Sequence, residues 1–397
     1  MKKIKIFDTT LRDGEQSPGC SMSTEDKVKI ATILNDMKVD VIEAGFAASN
    51  IKDFETIKRI SEKCDYSIVT SLARCNKSDI DKAYEAIKEA KKKRIHVFIA
   101  TSEIHMRDKL RKTPDEVKDI VKEMVSYAKS YVDDIEFSLE DATRTDKDFA
   151  CEIINIAIEN GATTINIPDT VGFTTYFEYA NFIKYLMENS KLNTVDVSVH
   201  CHNDLGLATA NTLSAIIEGA NQVEVTVNGI GERAGNASLE EIVAIIDTKK
   251  SLGFYTDIDL SKIKDISDEV VMATNSIIQS NKAIVGVNAF KHESGIHQDG
   301  VIKNRSTYEI LDPKRYGINT DNIVIGIHSG KGAIISFMKK NNYDIEKYDI
   351  LTIVTEVKNW FSSSDNINHV KVIPDKVLFD IINNNELGKK MVKRLKN

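Results

Sequence analysis

The chain has 397 residues, 42% of them apolar and 28% charged, and a net charge of −7, the proportions of an ordinary globular protein. With no basic surplus it offers nucleic acid no electrostatic footprint, so a nucleic-acid partner is not expected. The opening MKKIKIFDTT is interrupted by Asp8 and no run approaches the ~20 apolar residues of a membrane span, so neither a secretory leader nor a membrane partner is expected.

In chain order, short β-branched runs fall at 4–7, 39–43, 67–72, 95–100, 134–138, 164–167, 196–200 and 222–227. Longer stretches of helical period lie between them, among them 24–37, 114–129 and 238–247, several opened by a capping residue or an early proline. A strand-helix unit repeated eight times predicts an α/β fold, the (β/α)8 or TIM barrel, whose usual size is about 250 residues. An open doubly wound sheet would carry a glycine-rich phosphate fingerprint, and none is present. After Gly253 the rhythm gives way to helix-like segments and loops. A catalytic barrel over 1–255 and a smaller, mostly helical C-terminal region over 256–397 are therefore expected. The basic ending KKMVKRLKN, residues 389–397, reads as a solvated terminal helix. Five cysteines, Cys20, Cys64, Cys75, Cys151 and Cys201, form no C-x-x-C pair; a disulfide framework or cysteine zinc site is not expected, and a reducing cytoplasm fits best.

In such a barrel the chemistry sits at the C-terminal strand ends and the loops that follow. The first strand runs into a loop holding Arg12 and Asp13, which by itself reads either as a capped turn or as a ligand-bearing segment. His105 and Arg107 follow the fourth strand. Ser138 and Glu140 share one face at the end of the fifth, and Asn166, Pro168 and Thr170 do so at the sixth if the extended backbone persists. The seventh ends in His200-Cys201-His202, where period-two alternation points both imidazoles the same way. Two histidines and a carboxylate leave coordination positions open, as in a catalytic metal site, and Asp13 is the best carboxylate because its loop opens on the same barrel face. After the eighth strand comes a glycine-rich turn that reads either as a tight turn only or as a close backbone approach offering Asn236 as a further oxygen ligand. Beyond the barrel lies a polar segment, HESGIHQDG, carrying His292 and His297. A metal and an arginine that polarise a carbonyl, with a histidine that takes a proton from a carbon acid, suit carbon-carbon bond chemistry of the Claisen or aldol type.

The strings FDTTLRDGEQSPG, SVHCHNDLGLA, NGIGERAGN and HESGIHQDGVIKNR resemble the 2-isopropylmalate and homocitrate synthase family of metal-dependent acyl-CoA condensing enzymes, as do SLARC, FIATSEIHMRDKL, FSLEDATRTD and ATTINIPDTVGF. The resemblance runs from residue 4 to about 330. It implies that Asp13, His200, His202 and Asn236 hold a divalent ion (Mn, Mg, Zn or Co), and that Arg12 holds a 2-oxo acid and its developing oxyanion. It implies that His105, Ser138, Asn166 and Thr170 line the 2-oxo acid pocket, that His297 is the general base on acetyl-CoA, and that Glu140 pairs with it. Tyr308 falls where the family contacts the acyl-CoA. The family delivers the histidine to a partner subunit's active site, which implies a homodimer.

The nearest expectation within the family is condensation of acetyl-CoA with 3-methyl-2-oxobutanoate, in leucine synthesis. Homocitrate, citramalate and Re-citrate synthesis, on 2-oxoglutarate, pyruvate or oxaloacetate, differ mainly in the side-chain pocket; an acidic side chain would call for a basic partner, with Arg74 and Arg107 the candidates. An aldol-type lyase is the alternative outside the class, disfavoured by the post-barrel histidine segment. Two departures are visible. Ala47 stands where the family usually has proline, and the long leucine-binding domain of full-length relatives is not in this sequence, so no feedback by leucine through it is expected.

Overall fold

The computed structural model describes residues 1–319, 324–363 and 372–387, so the terminal KKMVKRLKN lies outside the described residues. The chain divides into two compact units, one made of Met1–Gln279 with Ala283–Val285, the other of Ser280–Lys282 and the chain from Gly286 onward. Among the described residues, no helix is long and apolar enough to cross a membrane.

In the first unit a two-residue strand β1 (Lys2–Lys3) precedes eight strands, β2 (Lys5–Asp8), β3 (Val41–Glu43), β4 (Ile68–Arg74), β5 (Lys93–Ala100), β6 (Ile135–Glu140), β7 (Thr164–Asp169), β8 (Asp196–Cys201) and β9 (Gln222–Val225). These eight pair in sequence order, all parallel, and β9 closes on β2. The expected TIM barrel is thus the fold observed. A tenth strand, β10 (Phe254–Tyr255), pairs with β1 outside the barrel, a two-residue parallel pair too short to show a period in the sequence.

Eight helices follow the barrel strands: α1 (Thr24–Asp36), α2 (Ile51–Lys63), α3 (Lys77–Ile87), α4 (Pro114–Lys129), α5 (Lys147–Glu159), α6 (Tyr176–Asn189), α7 (Ala208–Ile217) and α8 (Leu239–Thr248). Their starts are written locally. Ser23 with Asp26, Thr113 with Glu116 and Thr175 with Glu178 form reciprocal capping boxes, while Asn50, Asn76 and Asp146 cap with their side chains. Each cap fixes where a loop at the catalytic rim must end.

Alternation along the strands sends Ile95, Val97 and Ile99 of β5, Phe137 and Leu139 of β6, and Val197 and Val199 of β8 outward against the helices, all at most 7% exposed. Each such side chain contributes about 1.5–3 kcal/mol by leaving water. The inward positions are different. Instead of the aliphatic layers usual in these barrels, the lumen holds Glu43, Arg94, His96, Glu136, Ser138, Asn166, Ser198, His200, Gln222 and Glu224, all buried.

The first unit continues past the boundary expected near residue 255. Helix α9 (Ile263–Thr274) is tied to the barrel by the Lys29–Glu269 ion pair at 2.6 Å and by hydrogen bonds between Asn228 and Ser267 at 2.7 and 3.1 Å. These polar ties have no periodic signature, so the sequence pattern alone set the boundary too early.

The second unit is helical, as expected, with α10 (Gly295–Lys303), α11 (Lys331–Lys340), α12 (Ile350–Phe361) and α13 (Asp375–Asn384). Ala333, Ile334 and Met338 of α11, Ile353 and Val357 of α12, and Leu378 and Ile382 of α13 make a core of their own.

Candidate metal and 2-oxo acid site

Two layers of polar side chains fill the lumen. In the lower one Arg94 donates to Glu136 Oε2 at 2.6 Å and to Gln222 Oε1 at 2.8 Å, while Gln222 donates to Glu136 Oε1 and Ser198 Oγ, both at 2.9 Å. Arg94 is also ion-paired with Asp134 at 3.0 Å, so the charges of the barrel floor are matched, the condition under which buried charge is tolerated.

Above it, His96 spans the lumen from β5, with Nδ1 2.8 Å from Glu43 Oε1 and Nε2 2.6 Å from Ser138 Oγ; Asn166 donates to the same Ser138 oxygen at 2.8 Å. Glu43 also accepts from Thr9 at 2.7 Å and from Arg12 Nε at 2.6 Å. Burial alone would raise Glu43, yet Arg12 and His96 hold its carboxyl down at about 2. Arg12 is thereby fixed, and its Nη1 donates to Asp13 Oδ1 at 2.9 Å.

At the rim, ligand atoms of Asp13, His200 and His202 all lie within 4.8 Å of one another, and all three residues are buried. His200 Nδ1 is 2.8 Å from Glu224 Oε2, which fixes the ring and leaves Nε2 for the rim, the usual support of a metal-binding imidazole. Asn236 lies against the same carboxylate, its Nδ2 2.5 Å from Asp13 Oδ2, and a β-bridge joins it to His202. The turn that brings Asn236 inward needs its glycines. A Cβ on Gly231 would stand 2.2 Å from Asn236 Nδ2, and Gly235, at φ 86°, would place one 2.0 Å from the Gly229 carbonyl.

Three observations fit this group to a divalent cation. Asn236 Oδ1 and His202 Nδ1 are buried with no hydrogen-bond partner, a cost normally avoided. Burial and the neighbouring His200 push His202 down to about 3, so it is neutral, as a ligand must be. Asp13 stays below its ordinary value despite burial because Arg12, His200 and His202 face it, while Glu224 raises His200 against burial.

The site opens into a cavity of about 240 Å³ whose walls include Arg12, Asp13, Ser138, Glu140, Asn166, Thr170, His200 and His202, eight of the residues singled out in the sequence. Thr170 accepts from the Asp141 backbone at 3.0 Å. Glu140 is ion-paired with Lys109, another wall residue. His105 instead turns to Asp141, with Nδ1 3.2 Å from Oδ2, and the imidazole on the cavity wall from that part of the chain is His96. His297 and Tyr308 belong to the second unit, where their rings lie 4.2 Å apart and both are exposed. Neither basic candidate for an acidic substrate side chain reaches the cavity: Arg74 is held by Asp79 at 2.6 Å and Arg107 by Asp108 at 2.8 and 2.9 Å. The wall facing the site there is Leu72, Phe98 and Pro168.

Sequence reasoning passed over Glu43, His96, Glu136 and Glu224. Their signal was polar residues at alternate positions, as in Arg94-Ile95-His96, Glu136-Phe137-Ser138 and Gln222-Val223-Glu224, which becomes meaningful once barrel closure turns those positions inward.

Fold and site together define a (β/α)8 barrel enzyme with a carboxylate-imidazole group able to hold a metal ion beside a fixed arginine. The chain belongs to the HMGL-like family, whose model matches residues 3–270, and residues 284–365 match the homocitrate synthase post-HMGL domain-like model. It is 54% identical over 361 residues to 2-isopropylmalate synthase of Pyrococcus furiosus, covering 90% of this chain and 72% of that protein. To 2-isopropylmalate synthase of Heliobacterium modesticaldum it is 53% identical over 349 residues, 87% of this chain and 68% of the relative. Among solved structures, the HMG-CoA lyase of Brucella melitensis superposes with a TM-score of 0.60 at 18% identity, over 70% of this chain and all of that one, a likeness of fold alone.

Proposed function

We propose that the protein condenses acetyl-CoA with 3-methyl-2-oxobutanoate and hydrolyses the resulting thioester, giving 2-isopropylmalate and CoA for leucine synthesis in the cytoplasm. The observation that carries this reading is the convergence of Arg12, Asp13, His200 and His202 on one cavity in a chain 54% identical to a 2-isopropylmalate synthase.

Asp13, His200, His202 and Asn236 would hold a divalent ion, with Mn, Mg, Zn and Co all compatible with two imidazoles and oxygen donors. When bound, that ion supplies Lewis-acid polarisation of the keto group. Arg12, clamped by Glu43 and Asp13, keeps its charge directed at the oxygen on which negative charge develops and needs no reorganisation to do so. His96, Ser138, Asn166 and Thr170 orient the 2-oxo acid, and Leu72, Phe98 and Pro168 receive its branched side chain. Among the described residues the other cations on the cavity wall, Lys109 and Arg233, are already ion-paired with Glu140 and Asp204, which favours this substrate over 2-oxoglutarate or oxaloacetate, because an unpaired carboxylate against the apolar wall would be costly.

The carbon acid needs a base, and His297 is assigned that part, paired with Glu140 of the other subunit in a homodimer. Its setting supports this: it is exposed, its ring lies 4.2 Å from that of Tyr308, and the adjacent Ile296 is 77% exposed.

Release of free CoA from acetyl-CoA, assayed in parallel with 3-methyl-2-oxobutanoate, 2-oxoglutarate, pyruvate and oxaloacetate, tests the proposal. Turnover is expected to be highest with the branched acid. A clear preference for either dicarboxylic acid would reassign the substrate, and no CoA release with any of the four would remove the activity.

A further inference from the structure

The four residues assigned to the ion come from opposite ends of the barrel sequence. Asp13 follows β2, whereas His200 and His202 lie at the end of β8 and Asn236 follows β9. β2 and β9 are the first and last barrel strands, and they are joined by hydrogen bonds alone, with the rest of the barrel sequence between them. The candidate site therefore straddles the line along which the barrel closes, and the placement of Asp13 against its partners depends on how that line is registered.

Strand pairing does not carry the register to the rim. The β2–β9 ladder ends where Asp8 faces Val225, with the Thr9 amide donating to the Val225 carbonyl at 2.9 Å. Beyond it the amides of Val227 and Asn228 need other partners. The Val227 amide donates across the line of closure to Thr10 Oγ1 at 2.8 Å, and the Asn228 amide donates to Glu240 Oε2 at 3.0 Å. The turn that follows reaches Ile230, whose carbonyl accepts from Thr226 Oγ1 at 2.7 Å and from Asn236 Nδ2 at 3.1 Å. The Ile230 side chain lies against the loop after β2, since a Cβ on Gly14 would stand 3.0 Å from its Cγ1. A shift of this turn is thus a shift of Asn236 relative to Asp13.

Asp8 makes the Thr10 hydroxyl an acceptor. Its Oδ2 receives the Thr10 hydroxyl and its Oδ1 the Thr10 amide, both at 3.0 Å. A hydroxyl has one proton to give, so once Asp8 receives it the oxygen turns lone pairs toward Val227. Asp8 and Thr10 are both fully buried. Burial pushes the Asp8 carboxyl up to about 7 against the two hydrogen bonds from Thr10 that hold it down, and Glu240 and Glu43 push the same way as burial. A carboxyl kept on the helix-facing side of a strand, beside Ile6, at such a disadvantage points to a task.

We infer that Thr10, its hydroxyl oriented by Asp8, is a positioning residue for the metal site: it registers the turn after β9 against the loop after β2 and so sets Asn236 against Asp13. The inference rests on the reading of those two residues as ion ligands.

Calorimetric titration of Mn²⁺ into chelator-stripped protein tests it with three variants. Thr10→Val keeps the shape and removes the hydroxyl, with Thr10→Ala in its place where the valine variant does not fold. Thr10→Ser keeps the hydroxyl. Ser67→Ala removes a buried hydroxyl, bonded to the Val39 carbonyl at 2.7 Å, from the opposite end of the barrel. Circular dichroism melts give the stability of each protein. Mn²⁺ affinity is expected to fall about five- to tenfold in Thr10→Val, somewhat less than on losing a group that bonds a ligand directly. It should stay within about twofold in Thr10→Ser and in Ser67→Ala, although the latter also melts at a lower temperature. Unchanged affinity in Thr10→Val, an equal loss in Ser67→Ala, or a Thr10→Ser protein as weak as Thr10→Val overturns the inference and leaves the metal site standing. Failure of the unaltered protein to bind Mn²⁺ overturns the metal site and the inference together.

Discussion

Asp13 has three tasks at once: it is a candidate ligand, it accepts from Arg12, and it accepts from Asn236. Replacing it with alanine removes a charge that three cationic or ligating neighbours require, so Asp13→Ala is expected to lose Mn²⁺ binding by at least tenfold in a calorimetric titration. Retained affinity would show that the ion, if any, sits elsewhere. Arg94 tests the barrel floor without touching the rim. Arg94→Met leaves Glu136 buried and unpaired and should cost about 3–5 kcal/mol in urea unfolding, whereas adding Glu136→Leu should recover most of it. His297→Ala is expected to abolish CoA release while 2-oxo acid binding persists, because chelation needs no base; full turnover in that variant would show the base to be another group.

At the scale of elements, the loops that carry the site are set by how helices begin. Thr113 and Glu116 cap α4 reciprocally, so Thr113→Ala should lower unfolding stability by about 1 kcal/mol, read from urea unfolding. The turn after β9 is governed by space rather than capping. Since a Cβ on Gly231 would meet Asn236 Nδ2 and, at 3.2 Å, Asp13 Oδ2, Gly231→Ala should weaken metal binding with little change in helix content by circular dichroism. The strands themselves run further toward the rim than their apolar patterns suggested. Expected to stop at 138 and 167, β6 and β7 continue to Glu140 and Asp169, because pairing with one neighbour, β5 for β6 and β8 for β7, persists into the polar end.

Across the whole molecule, the assignment of His297 to a neighbouring subunit's barrel makes a prediction that no single-chain property shares. Mixing inactive His297→Ala and Asp13→Ala proteins under exchange conditions should restore about a quarter of the unaltered activity, since half the dimers are mixed and each of these has one intact site. No recovery, with exchange confirmed by mass spectrometry, would place base and metal in the same chain. Adding the cognate ion should raise the unfolding temperature of protein stripped with a chelator, by mass action on the folded state.

The sequence by itself determined the architecture and most of the rim. Its eight apolar runs, their helical spacers and their caps are local codes, and the polar strings at strand ends announce Arg12, Asp13, His200, His202 and Asn236 because side-chain alternation along a strand is also local. Only the tertiary structure decided the inside. Glu43, His96, Glu136 and Glu224 read as polar positions of half-exposed strands until the sheet closes on itself, when residues more than 40 positions apart become hydrogen-bonded neighbours, as Arg94 and Glu136 do across 42 residues. A strand's pattern states which residues share a face, but which face meets the lumen, and what charge waits across it, is fixed by closure.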